Sequence, residues 1–329
     1  MKRLHLFLIW ACGLVISCSD TEHFDVVGDP MNRAYINTGV WSPINAPRNQ
    51  YQFEVVHTPA GSLGQVSAKF VVHATKPVSG AVTAGLVLDN AVAEAYNTQY
   101  NTEYHAFPEG VLSLENTSPA FGKDRFHTDS VVIAISPEKL VLLTEPGYVA
   151  AVRLNSVSDP KMAINEEHRT VYVVVRTSTS NIKPLVGPDK LTGTLITDYS
   201  GWTASSTHAT TGGQPQNIFS SSTSSFWGLS GNPATITIDM GSQQLVEGLR
   251  LFARYSNFSY RFNRVAVETS VDGIQFEGQG AATASEMALA SNYQYIGFYA
   301  PVNARHLRLT LEWNSTYTQL AVLNVYKAE

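Results

Sequence analysis

Between residues 254 and 262 the chain reads Arg254, Tyr255, Ser256, Asn257, Phe258, Ser259, Tyr260, Arg261 and Phe262. Guanidinium donors, aromatic rings and small polar side chains are packed into one short stretch. A ring face stacks on the C–H side of a sugar, and a guanidinium fork bonds a pair of hydroxyls. The chemistry open to such a stretch is capture of a sugar rather than bond cleavage. Strand-like runs at 249–253 and 265–269 flank it. It is therefore expected to be a connection at the end of a β-structure, where ligand-facing residues collect.

Reactive constellations are missing from the sequence. Glycoside hydrolysis needs two carboxylates across a cleft. Asp89, Glu94, Glu103 and Glu109 gather near one Ala-rich segment, but Asp89 reads as a helix cap and the others as solvated charges. There is no G-x-S-x-G elbow, the histidines are scattered, and no His/Cys pair has transition-metal spacing. The chain is expected not to be an enzyme. A formal net charge of -5 also argues against nucleic acid, which needs a basic footprint.

The leading residues read as separate from the fold. Lys2 and Arg3 precede an apolar run over 4–16 that is too short to cross a bilayer comfortably. It ends in Leu14, Val15, Ile16, Ser17 and Cys18, which resembles a bacterial lipobox. Residues 1–17 are expected to be a lipoprotein signal peptide, Cys18 the lipidated residue and 18–33 a polar tether. Several acyl chains on Cys18 would give a firm anchor, whereas one is marginal. The other cysteine, Cys12, falls in the removed segment, so no disulfide is expected.

The elements that must carry the 254–262 stretch are strands. Val66, Ala68, Phe70 and Val72 alternate with Ser67, Lys69 and Val71, and Val131, Ile133 and Ile135 repeat the pattern. Asp89 and Asn90 followed by Ala91, Val92, Ala93, Glu94, Ala95 and Tyr96 predict one short helix inside this β-rich segment, with Asp89–Asn90 as N-cap candidates. Ser, Thr, Pro and Gly prevail over 180–194, which predicts a linker. Further strand runs lie at 234–239, 246–253, 264–270, 293–299, 306–313 and 320–326, with Asp272 and Gly273 as a tight-turn signal.

Two resemblances give these elements a frame. Leu86, Val87, Leu88, Asp89 and Asn90, then Ala95, Tyr96 and Asn97, then residues 104–110 from Tyr104 to Gly110 resemble the domain-of-unknown-function 1735 family. Asp129 to Ile133 and Gly147 to Ala150 follow the same pattern. The resemblance implies an immunoglobulin-like sandwich over 34–179, in bacterial surface proteins of glycan-utilisation systems.

Over 195–329 the chain resembles the discoidin, or coagulation factor 5/8 type C, family and the family 32 carbohydrate-binding modules. Gly201 and Trp202, Phe226 and Trp227, the run from Pro233 to Gly241, the run from Ser270 to Gly273, and that from Ala304 to Leu309 carry it in order. The fold class is then all-β: an immunoglobulin-like β-sandwich followed by a discoidin-like jelly-roll β-sandwich. The second resemblance implies that Arg254 bonds sugar hydroxyls and that Asn257 is a nearby polar contact. Trp227, Tyr255, Phe258, Tyr260 and Tyr317 are candidate platforms, and His208 a candidate donor. The family's structural calcium draws on an Asp and a Glu, and here Ser220 and Val322 occupy those positions. No cofactor is expected, and for calcium either no site or a weak one held by backbone carbonyls.

The sequence thus predicts a lipid-anchored outer-membrane protein facing the cell surface. It would bind an oligosaccharide or polysaccharide beside a glycan importer. The alternative is an adhesion or assembly protein whose aromatic loop docks a protein partner.

Overall fold

The structure is a computed structural model that describes residues 31–39, 49–185, 191–254, 261–313 and 317–329, without the side chains of residues 317 and 318. The described chain is all-β apart from one α-helix and short 3-10 turns. Two hydrophobic cores divide it. The first is drawn from residues between Ala34 and Val175, the second from residues between Ile182 and Val325.

In the first core, the strand Val66–Phe70 buries Val66, Ala68 and Phe70 and exposes Ser67 and Lys69. Strand geometry sends successive side chains to opposite faces, so the alternation in sequence becomes a buried and a solvated face. The same holds for Val131–Ile135, which pairs antiparallel with it. Opposite these lies a sheet in the order Gly61–Leu63, Gln50–Thr58, Thr170–Thr179, Gly147–Val157, Val82–Asp89 and Ala120–Phe121. The pairing of Gln50–Thr58 with Thr170–Thr179 is parallel.

The helix runs over Ala93–Tyr100, later than the sequence suggests, and its N-cap is Val92 with no side-chain cap. Asp89 is the last residue of a strand instead. One of its carboxylate oxygens accepts from Ala91 N at 3.0 Å and the other pairs with Arg153 at 3.0 Å. The ion pair and the strand compete for Asp89 and outweigh the cap. Tyr96 anchors the helix, its hydroxyl donating to Gln50 Oε1 at 2.8 Å while its ring meets Tyr100 and Tyr172.

The segment expected to be a linker is partly sheet. Ile182–Lys183 pairs antiparallel with the strand Tyr293–Trp313, and Thr194–Leu195 pairs with Tyr317–Lys327. Leu185 is buried against Gly297. Ile182 and Leu185 seat it. The junction itself is pinned on both sides. Ser180 N donates to His57 O at 2.9 Å. The next residue, Asn181, donates from Nδ2 to Gln279 Oε1 at 3.0 Å and to Ala300 O at 2.8 Å, and its Oδ1 accepts from Ala300 N at 2.9 Å.

The C-terminal sandwich is organised by two strands of about twenty residues, Ala234–Ala253 and Tyr293–Trp313. They pair antiparallel from Ala234 opposite Leu311, through Gln244 opposite Ala304, to Leu251 opposite Gln294. Register shifts between Asp239 and Gln244 fold this ribbon over, as bulges do where strands change sheets. Gly241 turns there with φ +73°, its N–H donating to Asp239 Oδ1 at 2.8 Å. Both arms of the ribbon consequently finish at the same end of the sandwich.

Removing the Asn181 side chain leaves the Ala300 amide and carbonyl without those partners. Asn181→Ala is expected to destabilise the C-terminal sandwich by about 2–3 kcal/mol. This is checked by a shifted denaturant midpoint and by faster proteolytic cleavage near the junction. An unchanged midpoint would show that Asn181 is no clamp.

Candidate ligand-binding end

Four connections converge at the end where the ribbon arms finish. The first holds His208. Ser206 Oγ donates to Thr235 O at 2.6 Å and accepts from His208 N at 3.0 Å. The second is the turn from Trp227–Ser230 into Ala234–Ala253. Gly231 sits at φ +86°, and a Cβ there would lie 3.3 Å from His208 Nδ1, so the imidazole rests against bare backbone. Glycine is what allows that approach.

Asn232 staples the second connection to the third. Its Oδ1 accepts from Trp313 N at 3.0 Å, and its Nδ2 donates to Trp313 O. The third connection leads from Trp313 to Tyr317, and Tyr317 pairs with Ser230. The fourth begins at Arg254, whose backbone N–H donates to Gln319 O at 3.0 Å. It returns at Phe262, whose N–H donates to Gln294 Oε1 at 2.8 Å while Gln294 Nε2 donates back to Phe262 O at 2.9 Å.

The predicted site residues separate into three groups. Arg254 and His208 are partly exposed at this end. Tyr255, Asn257, Phe258 and Tyr260 lie outside the described residues, as does Cys18. Tyr317 is placed in the strand Tyr317–Lys327, with its side chain undescribed.

Trp227 is a correction. It is 2% exposed, in the core with Leu229 and Ile218, and its Nε1 donates to Thr210 Oγ1 at 3.1 Å. An indole that buries its ring and satisfies its N–H internally offers no platform. Phe262, counted among the rings of the opening stretch, is also core. It is fully buried edge-on to Trp313, with centroids 5.4 Å apart.

Sequence reasoning passed over Phe226 as a site residue. The guanidinium of Arg254 lies 3.7 Å from the centroid of its ring. The signal was available. Trp227 opens a strand and faces inward, so strand alternation places its neighbour on the opposite face.

Electrostatically this end is marked by guanidinium groups. Arg254 and Arg261 bracket the connection, and Arg261 donates to Asn292 Oδ1 at 3.3 Å. A displaced carboxylate lies at the other end, where the ribbon folds. There the Arg305 guanidinium donates to both oxygens of Asp239 at 2.8 and 2.9 Å and draws its pKa down to about 2.

Comparison with known proteins follows the same division. Residues 31–161 match the family model of an N-terminal domain, and residues 202–323 match that of the F5/8 type C domain. No curated protein sequence matches the chain. Among solved structures, a two-domain protein of Bacteroides fragilis with unknown function is 17% identical. It aligns over 90% of this chain and 95% of its own with a TM-score of 0.60, so the two share a fold. A family 32 carbohydrate-binding module of Clostridium perfringens in complex with galactose is 20% identical over 41% of this chain and 98% of its own, with a TM-score of 0.35. A module of the same organism in complex with GalNAc-β-1,3-galactose is 20% identical over 38% and 93%, with a TM-score of 0.33. Behind an N-terminal β-sandwich, residues 202–323 of this chain are an F5/8 type C domain.

Proposed function

We propose that this protein captures carbohydrate at the ligand end of its F5/8 type C domain, as a non-catalytic, lipid-anchored surface protein. The observation that carries the reading is convergence. Arg254, His208 and Trp313 lie at one end of that domain, tied to it through Gln319, Ser206 and Asn232. A fork-shaped donor and an imidazole are groups that bond hydroxyl pairs on a sugar ring. Rings at Tyr255, Phe258, Tyr260 and Tyr317 would supply stacking on the sugar face.

Few contacts to a small ligand imply weak single-site binding, about millimolar to tens of micromolar. Such affinity suits retention of a polymer near import machinery, where many weak contacts act together. The leader and Cys18 favour attachment to the outer membrane. The alternative reading, an aromatic loop that docks a protein partner, draws on the same stretch.

A glycan array that includes galactose- and N-acetylgalactosamine-terminated oligosaccharides separates the two. The wild-type protein is expected to retain a defined set of glycans, with Arg254→Ala and Tyr260→Ala each weakening retention about tenfold or more. Silence across the array, with co-purification of one outer-membrane protein, would favour the alternative. The anchor is tested by expressing Cys18→Ser. The variant is expected to leave the membrane fraction and lose incorporation of labelled fatty acid, and retention of either label or membrane would refute lipidation at Cys18.

A further inference from the structure

The family resemblance implies a structural calcium beside the loop that precedes Trp227, and the residues present do not fit that cation. Val322, at the position of the expected Glu, is 1% exposed in an apolar cluster with Phe252 and Ala321, against which Phe226 and Tyr293 pack. Ser220, at the position of the expected Asp, donates its hydroxyl to Asn217 O at 2.9 Å. Among the described residues no group of three or more His, Cys, Asp or Glu could hold a metal ion. A hard divalent cation needs oxygen ligands, carboxylates first, and an apolar cluster supplies none.

The loop is closed by other means. Asn217 Nδ2 donates to Phe226 O at 2.8 Å, and the Asn217 backbone carbonyl accepts from Ser220 N at 3.3 Å, so one residue joins the two ends of the Ser-rich run. The ring of Phe226 then lies on a floor of glycine. A Cβ at Gly212 or Gly228 would approach it to 3.1 or 3.2 Å. Gly213, at φ +69°, admits no Cβ at all without collision with the Phe226 carbonyl. The ring also meets the Arg254 guanidinium, centred 3.7 Å from its centroid.

We infer that Phe226 is the positioning residue for Arg254. It packs against Phe252 and Val322, on a loop closed without carboxylate ligands. A long arginine side chain loses much rotamer freedom when it binds. A guanidinium already stacked on a ring gives up part of that freedom beforehand, and the ring quadrupole attracts its charge. The glycine floor fixes the ring, the apolar cluster fixes the strand pair beneath it, and the Arg254 N–H to Gln319 O bond fixes the backbone end. The functional consequence rests on the reading of Arg254 as the sugar-binding fork.

The test is NMR of the arginine side chains in ligand-free, full-length protein. The Arg254 side-chain signals are expected to be displaced upfield by the ring current of Phe226 and to be unaltered by EDTA or added CaCl2. Phe226→Leu should shift them downfield of the wild-type position, and Phe226→Trp should keep them displaced. Wild-type Arg254 signals at the unstacked position, or signals that move with calcium, would overturn the inference, and neither observation needs a variant to fold.

Galactose titration supplies the second readout. Phe226→Leu should bind about tenfold more weakly than wild type while its melting transition stays cooperative. Equal affinity in the two proteins would remove the positioning role. Displaced Arg254 signals in a protein that binds no glycan would sink the carbohydrate reading and leave the metal-free stack standing.

Discussion

The C-terminal sandwich depends on one folded ribbon. Two strands of about twenty residues pair along their length and bend over together, so each contributes to both sheets. The bend is built from register shifts, a glycine at positive φ and the Asp239–Arg305 pair. Because both arms return to the same end, Asn232 meets Trp313 and Phe262 meets Gln294, although these partners are far apart in sequence. The ligand end is a consequence of that fold-over. Its connections start and end on residues tied to the frame, Arg254 to Gln319, Phe262 to Gln294 and Trp313 to Asn232.

Burial then decides which aromatic residues are available. Trp227 and Phe262 fill the space between the two sheets, with Trp202, Phe219 and Trp313 also in the core. Phe226 faces the other way and becomes a seat for a cation. The position where calcium would need a carboxylate carries Val322, buried in an apolar cluster with Phe252 and Ala321. Hydrogen bonds of Ser206, Asn232 and Gln294 and the stack of Arg254 on Phe226 hold this end together.

Much of the architecture was legible in the residues. Alternation at Val66–Phe70 and Val131–Ile135 reported one buried face each, because strand periodicity maps directly onto exposure. The Asp272 and Gly273 signal is a tight turn, with Asp272 Oδ1 accepting from Ile274 N and Gln275 N and Gly273 at φ +75°. What was not legible depended on partners distant in sequence. Asp89 looked like a cap until Arg153 was placed beside it, and composition concealed the pairing of Ile182 with Phe298. At the ligand end, Arg254 and His208 could be found as donors. The seat beneath Arg254 required knowing that Gly212 and Gly228 lie under one ring.

The central claim, that this end of the F5/8 type C domain binds carbohydrate, is tested most directly by mapping backbone amide shifts while the glycan best retained by the protein is added. The account predicts that the perturbed amides cluster at His208, Gly231, Arg254 and Arg261, with those around Asp239 and Arg305 at the folded end unmoved. Perturbation confined to the folded end or to the N-terminal sandwich, or none with any glycan, would contradict it.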